Sequence, residues 1–89
     1  MVLKEISREQ VKKDVLEFLI LKSGDTNLNE TDNAMRYGVD DYDLIDMELI
    51  LERKYFGKNS ESDGADLDAK ETILEVSEKM FNYLMRIKK

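Results

Sequence analysis

Residues 38–52 read Gly38-Val39-Asp40-Asp41-Tyr42-Asp43-Leu44-Ile45-Asp46-Met47-Glu48-Leu49-Ile50-Leu51-Glu52. A glycine and then acids precede a run of apolar residues at helical spacing. Asp40 or Asp41 can cap the helix, and acids in a first turn suit the positive end of its dipole. The spacing predicts a helix over residues 41–56. Leu44, Met47, Leu51 and Tyr55 fall on one face and are expected in the core. Ile45, Leu49 and Phe56 form a second apolar stripe, and Asp41, Glu48 and Glu52 lie between the two stripes. The six acids Asp40, Asp41, Asp43, Asp46, Glu48 and Glu52 have no base among them. A merely solubilising face mixes signs, as Lys12, Lys13, Asp14 and Glu17 do earlier in the chain. An unmixed acidic helix start reads as a steering surface.

Upstream, Ser7 and Gln10 fit a capping box, with Ile6 and Val11 as a hydrophobic staple. Val11, Val15, Phe18 and Leu19 then share one helix face, and Gly24 is a stop signal. Residues 22–39 read as a long connection, with one short helical turn over residues 33–37. Long connections inside a small domain are often functional. Asp25-x-Asn27-x-Asn29 resembles the start of a calcium loop. The positions that need Gly and a bidentate Glu are Glu30 and Arg36, so a solvated turn is the better reading. Downstream, residues 57–66 are polar. A last helix is expected over residues 68–87, with Ile73, Val76, Met80, Tyr83 and Ile87 facing the core, and a short third helix can sit over residues 65–70.

The chain has 89 residues, one domain's worth over 1–89, with 42% hydrophobic residues and a formal net charge of -6. Affinity for nucleic acid comes from bases neutralising phosphates, so an acidic chain argues against it. A basic surface on a partner protein is the natural counterpart. Cys and His are both absent. That removes thiolate nucleophiles, zinc–thiolate sites and the commonest general base. Paired carboxylates can do acid/base work when buried at a substrate, but nothing else catalytic accompanies these, so no enzyme and no metal site are expected. No apolar run reaches the roughly 20 residues that span a bilayer. A cytoplasmic monomer without membrane insertion is the expectation.

The stretch Gly38-Val39-Asp40-Asp41-Tyr42-Asp43 and the helix after it resemble the acyl carrier protein family. Its pattern is a Gly, a small apolar residue, Asp-Ser-Leu, often another Asp, then an acidic-apolar helix ending in Glu and an aromatic. Gly38, Val39, Asp40, Asp43, Asp46, Met47, Leu51, Glu52 and Tyr55 fit without a gap. The resemblance implies an all-α, four-helix carrier-like bundle, three main helices plus one short, with a long first connection. In the family, the Ser carries 4'-phosphopantetheine. Here that position is Asp41 and the Leu is Tyr42, and a carboxylate cannot serve as the nucleophile that forms a stable phosphodiester. Aligning Asp43-Leu44 instead also gives Asp, and sets Arg53 at a core position. Ser7, Ser23, Ser60, Ser62 and Ser77 lie outside the motif.

The expectation is a carrier-like protein of lipid, polyketide or peptide biosynthesis, with a degenerate attachment position and no cofactor. It would dock on partner enzymes through Asp40, Asp41, Asp43, Ile45, Asp46, Glu48, Leu49 and Glu52. The alternatives are a genuine carrier modified at an atypical Ser, and an unrelated helical interaction module.

Overall fold

The computed structural model describes residues 3–60 and 64–88. Helix α1 runs Arg8–Ser23. Ser7 Oγ accepts the N–H of Gln10 at 3.1 Å, which satisfies one of the first-turn donors that have no intrahelical partner. The reciprocal half of the expected capping box does not form, because the Gln10 side chain donates to Asp14 Oδ1 instead, at 3.0 Å. Gly24 closes the helix at φ 75° and gives its N–H to the Ile20 carbonyl; a left-handed position of this kind favours glycine.

Short polar side chains bend the connection that follows. Asp25 Oδ1 accepts from the Asn27 N–H, and Asn29 Oδ1 from the Thr31 N–H; these Asx turns occupy the oxygens that a calcium loop would aim inward. A 3₁₀ turn spans Ala34–Tyr37, capped by Asn33, as expected. Buried Ala34 and Val39 pin the connection to the core.

Helix α2 runs Asp41–Phe56, capped by Asp40 in a full box with Asp43. Leu44, Met47, Leu51 and Tyr55 are buried, as their spacing predicts. Lys22 at the end of α1 pairs with Asp43 at the start of α2, and Asp14 with Lys54 further along. The two helices are therefore antiparallel.

Helix α3 runs Ile73–Ile87 and starts later than residue 68. Thr72 and Glu75 form a capping box that fixes this start. Every N–H of the first turn has an acceptor. Ile73 donates to the Asp32 carbonyl, Leu74 to the Glu30 carbonyl, Glu75 to Thr72 Oγ1 and Val76 to the Thr72 carbonyl. The first connection thus closes the start of the last helix, with an isolated bridge between Asn33 and Thr72. α3 packs chiefly on α1, antiparallel to it, with Arg8 against Glu78 and Phe81. Its Ile73, Val76, Met80, Tyr83 and Leu84 are buried, while Ile87 is half-buried.

Among the described residues there are three α-helices and no strand. The short helix expected over residues 65–70 does not form. That segment is non-helical, with Ala65 and Ala69 buried, and the backbone amides of these two residues are held by side chains of α2. The fold is all-α around one core cluster.

Candidate docking face on the second helix

α2 and α3 run parallel, so the chain must return along α2 between them. Three carboxylates on one face of α2 guide that return. Glu52 Oε1 accepts the N–H of Ser60 at 2.7 Å, Glu48 Oε1 that of Ala65 at 2.7 Å, and Asp41 Oδ1 that of Ala69 at 2.8 Å. The acids sit at i, i+7 and i+11, which is one line along a helix. The acceptors run in the opposite order to the amides, as an antiparallel return requires. Charged acceptors make stronger bonds than neutral ones, and they satisfy amides that the absent short helix leaves without helical partners.

This ladder corrects part of the expected docking set. Glu52 is 1% exposed and also accepts from the Tyr83 hydroxyl at 2.6 Å. It is interior and presents no charge to a partner. Glu48 is half-buried against Gly64, where a Cβ would meet its carboxylate at 3.0 Å. Asp41, the first residue of α2, accepts the N–H of Ala69 with its carboxylate. Asp40 and Asp43 are exposed and half-buried respectively, and cap each other's backbone. Among the serines, Ser7 and Ser23 accept backbone N–H groups, Ser77 is buried, and Ser62 lies outside the described residues.

Burial pushes the Glu48 carboxyl up from its ordinary value; the Ala65 N–H opposes the rise, the Glu52 charge adds to it, and Arg86 opposes it. The folded state therefore holds this proton more tightly than the unfolded chain does. The corresponding stability is present below the ordinary glutamate range and is lost as pH rises through the folded value. Glu48→Gln keeps an oxygen for Ala65 and removes the buried charge. It is expected to melt no lower than the parent at about pH 7, with its relative advantage gone near about pH 4. Thermal melts at the two pH values check this, and a variant that melts lower at pH 7 would contradict it.

The outer face of α2 is different. Tyr42 is 79% exposed and Ile45 is 52% exposed, and half-buried Leu49 continues the same stripe. Asp46, also exposed, makes no hydrogen bond or ion pair among the described residues. Ile45, Asp46 and Leu49 are where the sequence places a docking face, and Tyr42 joins them. Tyr42 was legible as an aromatic on the helix's outer side, opposite Leu44, Met47 and Leu51.

Charge is unevenly distributed along the sequence. Residues 24–46 contribute seven acids and only Arg36 as a base, and the acids at the start of α2 suit the positive end of its dipole. Tyr42, Ile45 and Asp46 belong to this acidic segment.

Among the described residues, no group of three or more acids is placed to hold a metal ion, and no helix is long and apolar enough to cross a membrane. Comparison with family models, curated proteins and solved structures finds no match to this chain.

Proposed function

We propose that the chain is a non-catalytic, carrier-like docking protein that presents the outer face of α2 to a basic, partly apolar surface on a partner enzyme. The observation that carries this reading is the exposed set Tyr42, Ile45 and Asp46 within the acidic segment of residues 24–46. Apolar side chains at the centre of a contact supply affinity, while acids supply approach rate and orientation. The long connection between α1 and α2, and Asp40 capping an acidic helix, also support a carrier-like layout. Three α-helices with a non-helical segment before the last one are the point of departure from the four-helix pattern.

On this reading no phosphopantetheine arm is attached. Asp41 stands at the arm's position with its carboxylate committed to Ala69, and it supplies a fixed negative charge in place of a modified serine. Fatty acid, polyketide and peptide assembly are the settings in which such a partner would occur.

The test has two parts. Intact mass after incubation with coenzyme A and a promiscuous phosphopantetheinyl transferase is expected not to change. A gain of one phosphopantetheine would restore the reading as a true carrier modified at a serine. In pull-downs, partners held by the parent are expected to be released at about 0.5 M salt, where screening shortens the reach of charge to a few ångströms. They are also expected to be lost from Tyr42→Ser/Ile45→Ser, whose changes lie at exposed positions and leave the core intact. Retention by that variant would overturn the assignment of the face.

A further inference from the structure

Where α3 packs on α1, the two helices leave a groove of about 280 Å³ to which α2 contributes no lining residue. Ser77 lies on its lining between Leu74, three residues earlier, and Phe81, four residues later, so the three share one face of α3. The serine is 6% exposed, and its hydroxyl has no hydrogen-bond partner among the described residues. A buried polar group without a partner carries its full desolvation cost, and native proteins leave few such groups. Serine is also a poorer helix former than alanine. Neither the packing of α3 nor its helicity accounts for a hydroxyl at this position.

We infer that this groove binds a small uncharged molecule, one apolar ring carrying a hydroxyl group. Ser77 selects the polar part. Its Oγ can donate one hydrogen bond and accept others, which suits an alcohol or a phenol in either direction. Charge on the lining argues against an ion. Arg8 Nε bonds both carboxylate oxygens of Glu78, at 3.0 and 3.1 Å, and Lys12 pairs with Glu30 at 2.8 Å. Glu9, the remaining charge on the lining, stands in the first turn of α1, where the helix dipole favours an acid. A charged ligand would have to displace one of these partners, and a neutral one displaces none. Leu74 and Phe81 select the apolar part. Leu74 is 42% exposed, and the half-buried Phe81 ring is held by the Arg8 guanidinium, 4.6 Å from its centre. An apolar cavity of about 150 Å³ takes benzene, so the groove has room for a ring and a short substituent.

Titration of the full chain with 4-ethylphenol at about pH 7, followed by amide chemical shifts, reads the site residue by residue. Saturable shifts centred on residues 74–81 and 8–12 are expected, with a dissociation constant of about 1 mM. Ethylbenzene has the same ring without the hydroxyl. Ser77→Ala is expected to lower the preference for 4-ethylphenol over ethylbenzene about fivefold, the effect of one hydrogen bond. 4-Ethylbenzoate, an anion at this pH, is expected to bind several-fold more weakly than 4-ethylphenol. Ser77→Ala itself removes an unpartnered hydroxyl and adds a better helix former, so it is expected to melt no lower than the parent. No probe or variant here touches Tyr42, Ile45 or Asp46, so the outcome is separate from that of the docking face. A variant that melts lower would mean that the protein satisfies the hydroxyl itself, and would overturn the inference. So would shifts that do not saturate or that centre elsewhere, a preference for 4-ethylphenol that survives Ser77→Ala, or tighter binding of 4-ethylbenzoate.

Discussion

Asp14→Ala is expected to lower the stability of the protein by about 3–5 kcal/mol, measured by urea denaturation. The carboxylate is 4% exposed between α1 and α2. It accepts from Lys54 Nζ at 2.5 Å, from the Tyr55 hydroxyl at 2.6 Å and from Gln10 Nε2 at 3.0 Å. Direct backbone contact between α1 and α2 is sparse, so this cluster is a main tie across the pair. Alanine would strand the hydroxyl of a fully buried tyrosine and leave an ammonium group without its counter-ion. A domain of this size is stable by roughly 4–13 kcal/mol, so the expected loss is a large share of the whole.

The companion variants locate that energy. Burial, and then the bond to Asp14, push the Tyr55 hydroxyl far above the ordinary phenol range. The group therefore stays a donor throughout the range in which the protein is folded. Tyr55→Phe removes that donor but leaves Asp14 with Lys54 and Gln10, and about 1–2 kcal/mol is expected. The double variant should cost less than the sum of the two singles, because the residues share one bond. A loss of under about 1 kcal/mol for Asp14→Ala would mean that the apolar contacts of α1 hold the pair without the cluster.

Asp14 also shows where the sequence stops being readable. The pattern Lys12, Lys13, Asp14, Glu17 looks like a solvated mixed face, yet Asp14 lies one residue from Val15 and four from Phe18, at the border of the apolar stripe. Gln10 is a helical neighbour, but Lys54 and Tyr55 are 40 and 41 residues away, and no local pattern announces them. Helix limits set by local chemistry were legible. Ser7 and Gly24 bound α1, and Asp40 and Gly57 bound α2, because caps act within one turn. The start of α3 was also written locally, in Thr72-x-x-Glu75, but the acids from Asp66 to Glu71 resembled an earlier helix start. The segment over residues 65–70 has helical composition. Side chains of α2 compete for its amides, a tertiary effect that propensity does not contain. For the docking face, the apolar stripe of Ile45 and Leu49 was legible. The roles of Asp41, Glu48 and Glu52 were not, because an acid that binds a distant backbone amide looks the same in sequence as one that faces water.

Glu52 carries the sharpest consequence of that ambiguity. Glu52→Ala is expected to cost about 3 kcal/mol. The change removes charge-assisted bonds from the Tyr83 hydroxyl and the Ser60 N–H, a longer one from Asn59, and the volume of a side chain that is 1% exposed. Glu52→Gln retains an oxygen for Ser60 and an amide that can meet the Tyr83 oxygen, so about 1–2 kcal/mol is expected. Amide exchange adds a local reading. In Glu52→Ala the N–H of Ser60 should exchange faster, while Ala65 and Ala69 stay protected by Glu48 and Asp41. Uniform acceleration of all three would mean that the ladder opens as a unit, and unchanged exchange at Ser60 would remove Glu52 from it. The same pair of variants separates structure from docking. If Glu52 were a partner-facing charge, Glu52→Gln would weaken partner capture as much as Glu52→Ala does. As an interior anchor, it predicts that Glu52→Gln, still folded and unchanged on the outer face of α2, captures partners like the parent.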